Sequence, residues 1–182
     1  MTERERTFLS IDVVGSTDAL RRLGLRYAMV LETLRKLMLR AARDRGGVLV
    51  DAVGDAMLFV FAHADDAVLT ALIGQAAITA APDEIVVEVR MGVHTGPVWT
   101  KGKTYVGLTV NKTARVTDVA TAGEIVLSEE TFSALGPRIA DGLVFIRRAI
   151  PKLKDFDDDT VYELRLVPEW PRAESGTEAA VV

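Results

Sequence analysis

Two aspartates stand inside segments that otherwise read as buried strands: Asp12 in FLSIDVVGST and Asp55 in VDAVGDAMLFVF. An ionised carboxylate in an apolar run must be paired, hydrogen-bonded or bound to metal. Glycine lies close to each, and Ser16 and Thr17 follow the first, so backbone amides can wrap an anion beside the carboxylates. Carboxylates that hold divalent cations next to amides that hold phosphate are the parts of phosphoryl transfer. In that chemistry, two Mg²⁺ or Mn²⁺ ions about 3.5 to 4 Å apart clamp the attacking and leaving oxygens. Asn111 and Arg115 lie four apart in NKTAR and share a helix face, where an amide and a guanidinium suit a ribose and a charged phosphate. Arg90, in the apolar VRMGVHTG, needs an anionic partner or a path to solvent. Taken singly, each has a plainer reading: an Asp capping a turn, a Gly-Ser-Thr helix start, a solvated helix face. The two aspartates together count for more than either alone.

The elements that position these residues follow from periodicity. TFLSIDVV reads as a strand, and Thr17 or Asp18 can cap one long helix whose apolar face is Leu20, Leu23, Tyr27, Val30, Leu31, Leu34, Leu37 and Met38. Gly46 and Gly47 end it, and VLVDAVGDAMLFVF gives two strands joined at Val53 and Gly54. A second helix is predicted from about Asp65 to Ala81, closed by Pro82, and EIVVEVRMGVHTG supplies a fourth strand. The order β-α-β-β-α-β is the ferredoxin-like arrangement, with the first strand central and the hairpin beside it, so Asp12 and Asp55 become neighbours. Beyond it come a short strand near Val98, a helix from near Leu108, the strand EIVLS, a short helix from Glu129, and strands around LVFIRRAI and TVYELRLV. The fold class is therefore α+β, a ferredoxin-like core extended by C-terminal strands and helices. Residues 1–6 read as an N-terminal extension, 7–167 as one domain, and 168–182 as a polar, disordered tail. His63 reads as a surface residue at a helix start, His94 as structural, and DFDDD as a solvated turn without the spacing of a calcium loop.

A chain of 182 residues, 49% hydrophobic and 26% charged, fits one globular domain. Its net charge of -4 gives no basic face for nucleic acid or anionic membrane, so small molecules or proteins are the expected partners. Without cysteine there is no disulfide, thiolate metal site or cysteine nucleophile. The start MTERERTF lacks the apolar stretch of a signal peptide, and AVLTALIGQAAITAA falls short of the roughly 20 residues of a membrane span, which predicts a cytoplasmic location.

Five segments in this order resemble the catalytic domain of class III nucleotidyl cyclases, the adenylyl and guanylyl cyclase family, over about residues 7 to 166: FLSIDVVGST, DAVGDAMLFVF, VRMGVHTG, YVGLTVNKTARV and LKDFDDDTVYEL. The resemblance implies a cyclase that joins the ribose 3′-oxygen to the α-phosphorus of a nucleoside triphosphate and releases pyrophosphate, using two divalent cations, Mg²⁺ or Mn²⁺. It assigns the metals to Asp12, Val13 and Asp55. Triphosphate falls to the amides of Val14, Gly15, Ser16 and Thr17 and to Arg90 and Lys154. Asn111 would orient the ribose, and Arg115 would stabilise the transition state. It also implies a head-to-tail homodimer with two shared sites, the metal aspartates coming from one subunit and Asn111, Arg115 and Lys154 from the other.

The base-reading positions depart from the family pattern. Adenylyl cyclases place lysine three residues before the glycine of the second metal motif and guanylyl cyclases place glutamate there; this chain has Asp51. The other position, seven before the asparagine, is Thr104. A carboxylate set against adenine N1 opposes acceptor to acceptor, an unpaired contact that costs about 1 to 3 kcal/mol and disfavours ATP. Guanine and uracil each present an N–H to it. The apparent absence of a sensor or membrane module resembles the stand-alone pyrimidine cyclases of Pycsar anti-phage systems, which tilts the expectation toward cyclic UMP for a downstream effector. A guanylate or adenylate cyclase of bacterial signalling is the alternative. A catalytically silent cyclase-fold module is a third reading, opposed by the presence of Asp12, Asp55, Asn111, Arg115 and Lys154 together.

Overall fold

Apolar residues in the second half of the first strand, β1 (Thr2–Val13), reach both faces of the sheet: Leu9, Ile11 and Val13 face one core and Phe8 the other. The computed structural model describes residues 2–81, 83–102, 104–137, 139, 143–149 and 160–165. After β1 come α1 (Ser16–Leu23), α2 (Arg26–Arg43), β2 (Val48–Val53), β3 (Ala56–Phe61), α3 (Ala64–Thr79) and β4 (Val89–Lys101). These are followed by β5 (Thr104–Val106), α4 (Leu108–Asp118), β6 (Ile125–Ser128), α5 (Glu129–Ser133), β7 (Val144–Ala149) and β8 (Thr160–Arg165).

The strands form one sheet in the order β2-β3-β1-β4-β6-β8-β7, with β5 paired to β4. β1 is antiparallel to both β3 and β4, which is the ferredoxin-like core, and β4 continues into the C-terminal strands through a parallel pairing with β6. The apolar faces of α2 (Tyr27, Val30, Leu34, Met38) and α3 (Ala67, Val68, Ala71, Leu72) cover Leu9, Ile11 and Val13. On the opposite face, α4 packs Val110 near Phe8, Val60 and Val98 and places Val116 against Val126 and Val161. β1 is thus buried on both sides, as a central strand must be.

Several local expectations are corrected. The single long helix is two, α1 and α2, because Gly24 takes a backbone conformation (φ 55) that favours glycine and donates to Leu20 O, ending the first helix. Leu20, placed on the apolar face by spacing, is exposed on α1. Neither Thr17 nor Asp18 caps the helix; Gly15 is its N-cap, with no side-chain cap bond. The strand near Val98 is the second half of β4, which runs unbroken to Lys101. Residues 2–6, read as an extension, continue β1 and pair with β4 as far as Thr2 opposite Thr100. Pro82, Lys154, the DFDDD turn and the 168–182 tail lie outside the described residues.

Close approach of α4 to β4 depends on Gly92, whose α-carbon faces Thr117: a Cβ there would collide with the backbone nitrogen and hydroxyl of Thr117. Gly92→Ala is therefore expected to lower unfolding stability by about 1 to 3 kcal/mol, measured by urea denaturation, since the helix must shift to admit one methyl group. Unchanged stability would show that α4 slides freely on the sheet.

Candidate active site

Strand register decides which carboxylates meet. Ile11 pairs with Met57 across β1 and β3, so Asp12 at the next position lies beside the Gly54–Asp55 turn that leads into β3. Gly54 closes that two-residue turn in the left-handed conformation (φ 61), which favours glycine and leaves Asp55 at the head of the strand. Across β1 and β4, Asp12 pairs with Arg90. Arg90 donates to Asp12 Oδ2 from Nε at 3.0 Å and from Nη2 at 2.7 Å, so the cation in an apolar strand has found its anion. The pair is partly open to solvent, with 26% of the Arg90 and 28% of the Asp12 side chain exposed.

Asp55 has no such partner. Its Oδ2 is shut off from solvent and accepts no hydrogen bond among the described residues, a costly state for a carboxylate oxygen. Tyr27 of α2 reports on both carboxylates. Burial raises the pKa of its phenol, the negative charges of Asp55 and then Asp12 raise it further, and a hydrogen bond with Ser16 opposes them. Asp12, Asp55, Ser16 and Tyr27 therefore converge at one end of the sheet.

That end also carries the start of α1. The amides of Ser16 and Thr17, with Gly15 at the N-cap, open a helix whose first N–H groups have no partner inside it and whose dipole favours an anion. Val14, grouped with them from sequence, is corrected: its N–H donates to Glu88 O at 2.9 Å and is not open to a phosphate.

Asn111 is exposed on α4, and Arg115 is partly buried one turn further on. Arg115 Nη1 lies 3.4 Å from Asp118 Oδ2, and Arg90 Nη2 lies 3.3 Å from Asp118 Oδ1, so Asp118 bridges the two arginines. A line of alternating charge thus runs from Asp12 through Arg90 and Asp118 to Arg115. Asp118 was not anticipated; its position three after Arg115 was the available signal. Asp51 sits on β2 after a register shift between Leu49 and Asp51, and its Oδ1 accepts from Ala52 N at 2.8 Å. It lines a cavity of about 170 Å³ with Ser10, Met57, Leu58, Val110 and Ala114, between the hairpin and α4. Thr104 is exposed on β5 opposite Lys101 and does not line that cavity.

His94 is buried, with Nδ1 2.8 Å from Ser128 Oγ, in agreement with a structural role. It belongs to a polar layer behind α4, where Lys112 donates to Glu130 at 2.7 Å. Burial pushes the Glu130 carboxyl up, but hydrogen bonds from Lys112 and its own amide, with the charges of His94 and Lys112, outweigh it and hold it low.

Comparison with known proteins agrees with this architecture. The profile of the adenylate and guanylate cyclase catalytic domain matches residues 3–162. The chain belongs to this cyclase family. An adenylate cyclase of Streptomyces coelicolor is 30% identical over 182 residues, covering 97% of this chain and 47% of that protein. The guanylate cyclase domain of RhGC from Catenaria anguillulae, in complex with GTP, superposes with a TM-score of 0.79 at 23% identity, covering 91% of this chain and 98% of that one. The adenylyl cyclase CyaB of P. aeruginosa does so with a TM-score of 0.81 at 21% identity, covering 92% and 97%. The cyclase domain spans less than half the length of the curated relatives it matches.

Among the described residues of the cyclase domain, no cluster of three or more His, Cys, Asp or Glu side chains forms a ready-made metal site. Two carboxylates nevertheless fit a hard cation that completes its shell with phosphate oxygens and water, and the orphaned Asp55 Oδ2 is an acceptor in need of one. No described helix is long and apolar enough to cross a membrane.

The contrast between the aspartates predicts opposite stability effects. Without metal, Asp12→Ala should lose about 1 kcal/mol because it strips Arg90 of its closest anion, whereas Asp55→Ala should be neutral or stabilising because it removes an unpartnered buried oxygen. Urea denaturation with and without Mn²⁺ checks this, and Mn²⁺ should stabilise the wild type more than either variant. Equal losses for both substitutions would contradict the asymmetry.

Proposed function

We propose that this domain converts a purine nucleoside triphosphate to its 3′,5′-cyclic monophosphate and pyrophosphate. The observation that carries the reading is the convergence of Asp12 and Asp55 at adjacent strand ends, one of them with an unpartnered buried oxygen, next to the opening amides of α1. Family membership supplies the reaction class.

Asp12 and Asp55, with the main chain at Val13, would hold divalent cations, which lower the pKa of the ribose hydroxyl and neutralise developing charge. Gly15, Ser16 and Thr17 offer amides to the β- and γ-phosphates. Arg90 neutralises triphosphate charge once it gives up part of its contact with Asp12 or Asp118, and Lys154 is assigned the same task. Asn111 orients the ribose. The 3′-oxygen attacks the α-phosphorus and gives its proton to solvent water, the bond from that phosphorus to the bridging oxygen breaks, and pyrophosphate leaves with the electron pair. Arg115 stabilises the transition-state charge, so the protein's work is positioning and electrostatics. Two chains arranged head to tail would share each site, with Asp12 and Asp55 facing the partner's Asn111 and Arg115.

GTP is the favoured base, ahead of ATP. Asp51 lines the cavity beside α4 and its Oδ1 accepts from Ala52 N, so its carboxylate would accept there an N–H that guanine has and adenine N1 lacks. The leaning toward cyclic UMP and anti-phage signalling rested on the lack of further modules. That ground is gone, because the chain spans under half of its curated relatives. The relatives named above are adenylate and guanylate cyclases.

Incubation with Mn²⁺ and each of the four ribonucleotides, with products identified by mass, should give cyclic GMP as the main product with equimolar pyrophosphate. Nucleoside diphosphate and phosphate instead would contradict cyclisation, and a pyrimidine product would contradict the base assignment. Asp51→Ala should lower kcat/KM for GTP by about 10- to 100-fold while barely changing ATP, and Asp51→Lys should raise ATP use. An equal loss for all four nucleotides would show that Asp51 supports only the hairpin.

A further inference from the structure

Among the described residues that line the cavity between the hairpin and α4, two carry polar side chains, Asp51 and Ser10, and the rest are apolar. Strand register sets these two in one row. Leu58 of β3 pairs with Asp51 of β2 on one side and with Ser10 of β1 on the other, so both flank Leu58. Across two strand spacings their backbones stand about 9.5 Å apart. Two hydrogen bonds of about 2.9 Å each would leave room between them for the edge of one heterocycle. Ser10 is half-buried on a face where Phe8, Val60 and Val98 are buried and apolar. Its hydroxyl has no hydrogen-bond partner among the described residues. Thr104, expected as the second base reader, lies outside the cavity, so Ser10 is the polar group that accompanies Asp51 there.

We infer that Ser10 is a base-reading residue, its hydroxyl donating to O6 of guanine while Asp51 accepts from the N1 and N2 N–H groups of the same edge. The inference rests on the reading of this domain as a GTP cyclase and of the cavity as its base pocket. A carboxylate only accepts, whereas a serine hydroxyl can donate. Guanine carries donors at one end of that edge and the acceptor O6 at the other, which matches a carboxylate on β2 and a hydroxyl on β1. Two polar groups in an apolar cavity fix the orientation of a ring that the walls alone would leave free to turn. Adenine presents an unprotonated N1 to Asp51 and an amine in place of O6. The hydroxyl can rotate to accept from that amine, so Ser10 adds to a discrimination that Asp51 sets.

Cyclisation of GTP and of 6-thio-GTP by the full chain with Mn²⁺, in wild type and Ser10→Ala, tests this, because the thio analogue keeps N1–H and N2–H but replaces O6 by sulfur, a poor acceptor. The wild type should prefer GTP to 6-thio-GTP by about 10-fold in kcat/KM. Ser10→Ala should lower GTP use about 10-fold and leave 6-thio-GTP use where it stands, so that the preference disappears, as a direct contact between the two altered groups requires. Its Tm should be unchanged, since the hydroxyl bonds to no described residue. A preference that persists in Ser10→Ala, or none in the wild type, would overturn the inference while leaving GTP cyclisation intact. So would a rise in 6-thio-GTP use without a loss of GTP use, which would assign Ser10 to the size of the cavity alone. Equal losses for both nucleotides with a lower Tm would assign Ser10 to the sheet and overturn it as well. Failure of the wild type to form cyclic GMP from GTP would remove the proposed function and the inference together.

Discussion

Negative charge at the end of a doubly buried strand is the constraint on which this structure turns. β1 runs between β3 and β4 with Leu9, Ile11 and Val13 buried on one face and Phe8 on the other, and the hairpin brings Asp55 alongside Asp12. Two carboxylates so placed repel each other and lose hydration, so compensation must come from groups fixed by the fold. Arg90 supplies it to Asp12 from the neighbouring strand, in register. Asp55 Oδ2 has no hydrogen-bond partner among the described residues, and a bound cation would match it. The opening of α1, Tyr27 and Asp118 are arranged around the same charge.

Much of this was legible in the sequence because strand alternation and helical spacing are local signals. The β-α-β-β-α-β order follows from them, and it places Asp12 beside Asp55 before any contact is known. Arg90 could be said to need an anion, but which one depends on the register of β4 against β1, which has no local signature. The break at Gly24 was hidden because the apolar spacing continues across it. Val14 fell among the amides expected to face phosphate because sequence does not reveal that Glu88 O takes its N–H. Tyr27 read as one more apolar position, since the place of its hydroxyl beside Ser16 and the carboxylates is set by the packed interior alone.

The line of charge from Asp12 to Arg115 through Arg90 and Asp118 gives the chain a resting arrangement in which both arginines are held by its own carboxylates. These contacts differ in strength. Arg90 grips Asp12 with two donors on a partly buried oxygen, whereas Arg115 meets Asp118 at 3.4 Å with 37% of its side chain exposed, a contact of small net energy. Arg115 is therefore the arginine most easily turned toward another site. On the shared-site reading, it turns to a partner subunit's triphosphate and leaves its own metal aspartates to serve the partner's α4. A single-chain site would instead draw it along its own line of charge toward Asp12.

Mixing two inactive variants separates these alternatives and tests the catalytic assignments together. Asp12→Ala and Arg115→Ala, each purified alone, should be silent with Mn²⁺ and GTP. After subunit exchange, an equal mixture should recover about a quarter of wild-type cyclic GMP formation, because half of the dimers are mixed and each then holds one site free of both lesions. No recovery despite demonstrated exchange would contradict an active site assembled from the metal half of one chain and the α4 half of another.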